Sequence, residues 1–474
     1  MSVTSGSPRV IYFALKLLAS FITIAYASHF RGGLVHLKTV GPISRTAGVT
    51  IDVTQRYGWR RSYGHNTYCD DSTIASRAII ANVGYMRCRV GCSGYLSVGV
   101  YCTDYSIIGD WVVGERTQRI PPLSFVPVMK ASFASSAWIN NLVIGGGSSW
   151  EVRVMLNLNA TLEKRTENSS PETKTAPILN LLYGCNHTIT IPVEDADGDD
   201  VRCRWAESRL GECGGVCRAF PGAVLNERDC TLFYSATGTI GLYVVAIQIE
   251  DFYSTLDTVP FSSVPLQFIV NVYESSFGNA SCYGKPRFSW PTRRGGTCVA
   301  IPFNSTFQES IIAKSEGPEI QDIATQSPSG VRKSDLAMGP GTNNWYVNIT
   351  WTPLLSQAGN NIFCFTAVDS TGANSDQNCI TFAVGTYPPV VKNGSLFPTD
   401  KLFANNSNWR FEFDRQFVRP SRSAYIRFYD DTDTEIFKID TSTSRNLKFP
   451  SSPTNFRLAF RTTYNFRKKL LTIL

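Results

Sequence analysis

Five carboxylates are crowded into seven residues in the middle of the chain, in the stretch Glu194-Asp195-Ala196-Asp197-Gly198-Asp199-Asp200. Carboxylate oxygens are the ligands that calcium prefers, and Asp251 at the end of a later predicted strand would lie at the same end of a β-sandwich. The predicted calcium ligands are therefore Glu194, Asp195, Asp197, Asp199, Asp200 and Asp251. The alternative is a solvated Asp-Gly turn, since the spacing is not that of an EF-hand.

Two predicted strands position this acidic turn. Residues 187–192 alternate polar with β-branched side chains, which places Ile189 and Ile191 on one face of a strand. Gly198 can adopt the positive φ of a tight reversal, and Val201 and Cys203 then share the inward face of the next strand. The pattern predicts an extracellular β-sandwich, because the same stretch also carries cysteines and a glycosylation acceptor.

Several motifs resemble those of known extracellular modules. P-V-x-D-x-D-G-D at 192–199 and G-x-Y-x-x-x-I-x-x-x-D at 241–251 resemble cadherin-like and polycystic-kidney-disease-like repeats. N-I-F-C-F-T-A-V-D at 361–369, followed by S-T-G, is similar to the last hairpin of hyalin-repeat and other immunoglobulin-like modules. P-T-x and F-x-F-D elements in the last part of the chain look like bacterial-type Ig-like modules. Together with S-H-F-R-G-G at 28–33, the arrangement resembles large secreted or cell-surface ectodomain proteins of invertebrates, which implies a location outside the cell but no mechanism.

The chain is predicted to be all-β, with several tandem disulfide-bearing β-sandwich domains (Ig-like or cadherin-like) after a signal peptide. Its 474 residues exceed what one core holds. The expected division is a signal peptide (1–27), a β-rich domain with four cysteines (28–162), a polar linker (163–177), a cadherin-like sandwich (178–274), an Ig-like sandwich (275–386) and an Ig-like domain (387–474). The apolar run at 17–24 is too short to span a bilayer, so no transmembrane segment is expected. The sequence leaves open whether the last domain is truncated and whether a longer precursor has a membrane anchor.

The thirteen cysteines fall into groups of four, five and four, which favours pairing within domains. Cys364 and Cys379 flank the predicted turn at Ser370-Thr371-Gly372 symmetrically, so a hairpin folded there would place them opposite each other. This predicts a Cys364–Cys379 disulfide and, by elimination, a Cys282–Cys298 disulfide. The connectivity of the first two groups stays open, and the group of five needs an unpaired member or an interdomain partner.

Eight N-x-S/T acceptors predict N-glycosylation, and none of them lies between residues 28 and 158. They are Asn159, Asn168, Asn186, Asn279, Asn304, Asn348, Asn393 and Asn405. The gap indicates either that the first domain is a bare interaction face or that the distribution is accidental.

The first domain carries thirteen Lys and Arg against seven Asp and Glu, a formal charge of +6, concentrated at Arg60-Arg61 and at Arg87 and Arg89. A basic face could bind acidic glycans or an acidic partner, or be a solvated surface. With only four histidines, no H-E-x-x-H and no G-x-S-x-G, no enzyme is expected. Two functions remain, both extracellular: a structural or adhesion-type protein that binds a protein partner, and a glycan-binding protein that uses the basic first domain. No nucleic-acid partner is expected.

Overall fold

The computed structural model describes residues 29–275, 282, 284–339, 341, 343–387 and 391–395, together with short segments between 408 and 473. The predicted signal peptide lies outside the described residues. Among the described residues, no helix has both the length and the apolar composition needed to cross a membrane. The protein is all-β, built from disulfide-bearing β-sandwich modules.

Residues 29–273 form one unit, which we call the N-terminal body. Its strands are β1 (Phe30–Ser44), β2 (Gly48–Arg60), β3 (Ile79–Ile80), β4 (Tyr85–Val90), β5 (Tyr95–Ser97), β6 (Val100–Ser106), β7 (Trp111–Leu123), β8 (Val128–Ser136), β9 (Ser149–Asn157), β10 (Glu172–Thr173), β11 (Ile178–Leu182), β12 (Asn186–Thr190), β13 (Val193–Glu194), β14 (Asp200–Trp205), β15 (Val224–Asn226), β16 (Thr231–Ser235), β17 (Gly241–Phe252) and β18 (Ser262–Tyr273). Short helices are α1 (Asp71–Ala75) and α2 (Leu158–Lys164), with 3₁₀ turns at Arg61–Tyr63, His65–Thr67, Ser208–Leu210 and Gly214–Val216.

Strand β18 joins the first two predicted domains. It pairs antiparallel with β17 along most of its length, and it also pairs with β1, with β9 and, in parallel, with β11. Its first nine residues are all buried, as expected for a strand covered on both faces. One buried apolar cluster consequently runs from Phe30 to Val272. The two domains share a sheet and a core.

The polar segment 163–177, expected to be a linker, is packed into the N-terminal body. Its first residues end α2, but from Asn168 onward most side chains are buried. Lys174 is only 2% exposed, and Ser170 donates or accepts a hydrogen bond with His36 of β1. Buried polar groups are stable only when they are hydrogen-bonded or paired, so this segment depends on specific partners rather than on apolar burial.

The third module closes around its own core. Its strands are β19 (Arg287–Ser289), β20 (Cys298–Ile301), β21 (Phe307–Lys314), β22 (Ile320–Gln326), β23 (Arg332–Lys333), β24 (Ala337–Met338), β25 (Asn344–Trp351), β26 (Gly359–Asp369) and β27 (Asn378–Val384), with a 3₁₀ turn at Leu355–Gln357. They form two facing sheets, one built on β21 and β25 and the other on β26 and β27. The core contains Trp351, Phe363 and Phe382, and the Phe382 ring contacts the other two.

Six short strands are described in the last part of the chain. They are β28 (Asn408–Glu412), β29 (Tyr425–Tyr429), β30 (Glu435–Asp440), β31 (Leu447–Lys448), β32 (Arg457–Arg461) and β33 (Thr472–Ile473). They form two three-stranded sheets, and Trp409 packs edge-on against Phe428 between them.

Candidate functional site

The acidic turn is organised by Asp195. Its Oδ1 accepts hydrogen bonds from the backbone N–H groups of Asp197, Gly198 and Asp199 at 2.9, 2.7 and 3.0 Å. Gly198 has a φ of +85°, which an L side chain rarely adopts, so glycine is required at this point of the turn. Burial raises the pKa of Asp195, and the three backbone donors oppose that shift.

Arg165, from the packed segment, supplies positive charge to this turn. Its guanidinium donates to Asp199 and lies 3.8 Å from a carboxylate oxygen of Asp197. One carboxylate oxygen from each of Asp195, Asp197 and Asp199 lies within 4.8 Å of the others. Their oxygens suit calcium, which takes six to eight oxygen ligands in flexible geometry. Two of these three carboxylates, those of Asp197 and Asp199, already face the guanidinium of Arg165.

The other three predicted calcium ligands do not join this group, which corrects the six-residue prediction. Glu194 accepts a hydrogen bond from the hydroxyl of Thr381 in the third module. Asp200 accepts from Arg202 Nε at 2.7 Å. β13 ends at Glu194 and β14 begins at Asp200, so these two residues lie on the strands that flank the turn, outside the loop that Asp195 closes.

Asp251 is completely buried and makes its own contacts. Its Oδ1 accepts from the Ser262 N–H and hydroxyl, both at 2.6 Å, and its Oδ2 accepts from Asn168 Nδ2 at 2.8 Å. Burial raises the pKa of Asp251 to about 7. Asp251 therefore ties the end of β17 to β18 and to the packed segment, as a structural group of the core.

Asn168 cannot carry a glycan in this fold, which corrects one of the eight predicted acceptors. It is 1% exposed, and the Nδ2 atom that a glycan would occupy is the donor to Asp251. Asn186, Asn304, Asn348 and Asn393 are exposed, and Asn159 is half-buried. The remaining acceptors, Asn279 and Asn405, lie outside the described residues.

The structure contains six disulfides among the described cysteines. Cys364 is bonded to Cys379, and the two face each other across β26 and β27 as the hairpin argument requires. The Cys282–Cys298 prediction is wrong: Cys282 is bonded to Cys185 of the N-terminal body, and Cys298 has a free, exposed thiol. Elimination failed because it assumed that pairing stops at the domain boundary. The other bonds are Cys69–Cys102, Cys88–Cys92, Cys203–Cys230 and Cys213–Cys217.

Most arginines of the predicted basic face are engaged. Arg60 donates to Asp110 at 2.8 Å, Arg61 lies over the rings of Tyr68 and Tyr105, and Arg89 donates to Ser132 at 2.7 Å. Arg87 is exposed on β4. The excess positive charge therefore does not form one free patch.

Two exposed aromatic residues beside Arg87 were not singled out from the sequence. Tyr85 is 50% and Tyr95 is 69% exposed, and their rings meet at 4.6 Å. Tyr95 lies opposite Arg87 in the β4–β5 register, so the three side chains share one face. Alternation along 85–90 could have located Tyr85, but it could not have shown that this face is left uncovered by the other described elements.

A buried charge network links the N-terminal body to the third module, and the sequence analysis missed it as well. Arg56 contacts Asp104 at 3.3 Å and Glu115 at 3.4 Å, and Lys174 contacts Glu115 at 3.0 Å. Burial acts to raise the pKa of Glu115, but the two cations hold that pKa below its usual value. Asp104 also accepts hydrogen bonds from Thr325 and Ser327 across the interface.

Comparison with known proteins places these features in context. Residues 31–159 match the family model described as "Integrin beta-like protein A-E, N-terminal". Over 407 residues the chain is 23% identical to Integrin beta-like protein C of Dictyostelium discoideum. That alignment covers 79% of this chain and 20% of the relative, so the chain spans about a fifth of the relative's length.

Solved structures with local similarity include three extracellular or modular proteins. The sialic acid binding region of a Streptococcus sanguinis adhesin is 9% identical and covers 52% of this chain and 93% of that chain, with a TM-score of 0.18. Fibronectin(III)-like modules of Clostridium thermocellum CbhA are 12% identical, covering 45% and 95%, with a TM-score of 0.15. Human protocadherin-24 EC1-2 is 16% identical, covering 46% and 99%, with a TM-score of 0.17. Similarity at this level does not indicate a function.

Proposed function

We propose that this chain is an extracellular interaction protein of the adhesion type, which binds a protein partner rather than catalysing a reaction. The binding surface is the hairpin formed by β4 and β5, which we call the tyrosine hairpin (residues 85–97). The observation that carries the proposal is the exposed Tyr85–Tyr95 pair beside Arg87. Similarity to an integrin beta-like protein supports an adhesion role, and six disulfides are typical of an oxidising, extracellular compartment.

The tyrosine hairpin has the composition and rigidity of a binding surface. Tyrosine and arginine are enriched in the centres of protein interfaces, and Val83 and Val90, close by in the sequence, are 45% and 49% exposed. The Cys88–Cys92 disulfide closes the turn end of β4, so little conformational entropy is lost on binding. β5 is the last strand in its sheet order, which leaves this side accessible.

Attachment of the full chain to living cells tests the proposal. A Tyr85→Ser, Tyr95→Ser double variant should lower retention at least about tenfold, because burial of two aromatic side chains contributes several kcal/mol to an interface. Tyr183→Ser is the matched control, since Tyr183 is 40% exposed but lies elsewhere on the body. Equal retention of the double variant and the control would exclude the hairpin as the binding surface.

Binding of an acidic glycan is the second candidate function. A tyrosine platform beside an arginine suits a sugar ring that bears a carboxylate or sulfate group, through ring contact and a charge-assisted hydrogen bond. A glycan array probed with the full chain should then give acidic hits that Arg87→Gln removes and Arg119→Gln keeps. An array without acidic hits would remove this candidate and leave the protein partner.

Calcium is the remaining element of the proposal. Asp195, Asp197 and Asp199 are the residues that would hold the ion, which would replace Arg165 as the cation that neutralises them. Isothermal titration of the full chain should detect binding at millimolar calcium, strengthened by Arg165→Gln and lost in Asp199→Asn. Asp200→Asn is the control, because Asp200 pairs with Arg202 instead. Absence of calcium binding by both the native chain and Arg165→Gln would refute this element alone.

A further inference from the structure

A cavity of about 320 Å³ lies where the N-terminal body meets the third module. Its apolar wall includes Trp111 and Leu242, and its polar wall includes Asn180 and Asn374 from opposite sides of the junction. Arg31 also lines it. The volume is at the lower end of the range for small-molecule sites, and a mainly apolar wall with a few polar groups is typical of them.

Arg31 is a buried cation that shares the negative charge of Asp110 with Arg60. It is 8% exposed, its Nε makes no hydrogen bond, and no ion pair to it is found in the part of the chain that the structure describes. Burial lowers the pKa of Arg31 to about 10; Asp110 opposes this shift, but that carboxylate is bonded to Arg60 and Ser62. Burial of an unpaired charge is expensive, so the position of Arg31 requires a partner.

The backbone is specialised at this residue. Phe30 is opposite Trp59 and Gly32 is opposite Gly58, so Arg31 is the extra residue of a β-bulge in β1. Gly32 has a φ of +118°, and a Cβ there would lie 2.0 Å from the carbonyl oxygen of Gln267. Bulges redirect side chains at the edges of binding sites. The bulge and the glycine together turn Arg31 into the cavity.

The carboxylate in the cavity wall does not neutralise Arg31. Asp322 accepts a hydrogen bond from Ser106 at 2.6 Å and lies 3.6 Å from Lys333, so it already has a cationic partner. The asparagines are neutral, and Asn180 donates to the carbonyl of Gly372 and to the side chain of Asn374. One positive charge is left over in a small, largely apolar space.

We propose that this cavity binds a carboxylate group, which Arg31 recognises and whose carbon substituent packs against Trp111 and Leu242. The size suits a small organic acid or the end of an acidic side chain from a peptide. This site lies apart from the tyrosine hairpin, so it extends the proposed function without depending on it. Its position at the junction of the two units means that an occupant would contact both.

Titration of the full chain with sodium acetate and with N-acetylglutamate amide, at constant ionic strength in sodium chloride, tests the site. Calorimetry should show saturable binding of at least one, and Arg31→Gln should weaken it at least about tenfold because a charge-assisted hydrogen bond is lost. Binding of acetate alone would identify a free small acid as the ligand. Binding of both compounds would extend the ligand class to the end of an acidic side chain. Absence of saturable binding, or equal affinity in Arg31→Gln, would overturn the proposal.

A second variant keeps the test decisive if Arg31→Gln does not fold. Asn374→Asp adds a carboxylate of the same shape to the cavity that Arg31 also lines. We expect a higher melting temperature and weaker acetate binding, whereas Asn360→Asp, at an exposed position on β26, should change neither. A lower melting temperature of Asn374→Asp with unchanged acetate affinity would show that Arg31 does not need an anion.

Discussion

The N-terminal body and the third module solve the same problem, the burial of β-strands, in different ways. The third module closes its core with strands that lie between residues 287 and 384. In the N-terminal body, β18 comes from the C-terminal end of the unit and pairs with both β1 and β9. The contrast teaches that a change in composition along a chain does not have to coincide with the edge of a core.

Dividing the chain should expose this difference most strongly. A fragment of residues 28–162 lacks β18, so β1 and β9 lose a paired neighbour and their buried faces lose their cover. We expect no cooperative thermal unfolding from this fragment, whereas residues 284–387 should unfold cooperatively. Circular dichroism against temperature measures both, and a cooperative transition in 28–162 would break the comparison.

The buried charge network determines how firmly the two units are joined. Arg56→Met leaves Asp104 and Glu115 with fewer partners in a buried interface, which should cost about 3 to 5 kcal/mol of unfolding free energy. Asp104 also accepts hydrogen bonds from Thr325 and Ser327 of the third module, so the loss of Arg56 should weaken the junction. We therefore expect the third module to unfold separately in urea. Arg119→Met, which removes an exposed pair with Asp52, is the control and should leave a single transition.

The sequence predicted the local parts of this fold better than its long-range parts. The hairpin with Cys364 and Cys379 depends on residues close in sequence, so symmetry about a turn was enough to predict it. Segment 163–177 looked like a linker because it is polar, and only its partners in distant strands make it a buried element. The acidic turn was recognised, but its cationic partner Arg165 lies in segment 163–177, which had been predicted to be a linker.

The disulfide between the units should stabilise the fold by an amount similar to that of the network. Cys185–Cys282 closes a separation of 97 residues, so Cys282→Ser should lower the unfolding free energy by about 2 to 5 kcal/mol, the usual cost of removing a native disulfide. Cys298→Ser should have no effect on stability, because that thiol forms no bond in the structure. Chemical denaturation of the two variants decides between this connectivity and a Cys282–Cys298 bond, which predicts equal losses.

Asp251 should give the N-terminal body a specific pH dependence. Its pKa is raised from 3.8 to about 7 in the folded state, so the folded protein holds a proton that the unfolded chain has lost. The stabilisation is fully present below about pH 4 and is lost as pH rises to about 7, with a slope of at most about 1.4 kcal/mol per pH unit. The melting temperature, measured in chelator, should show this downward slope with pH for the native chain and not for Asp251→Asn. An unchanged slope in that variant would assign it to other groups.

The arrangement of β1 and β18 also has a mechanical consequence. The chain enters the N-terminal body at Phe30 and leaves it at Tyr273, and Gly32 is paired with Phe268, so both points lie at the same end of neighbouring antiparallel strands. With the Cys185–Cys282 disulfide reduced and the charge network opened, a pull between the start of β1 and the third module would load the short ladder from Gly32–Phe268 to Leu34–Leu266, one pair at a time. The longer β1–β2 ladder would lie outside the path of the force. Most of the N-terminal body would therefore not transmit the force.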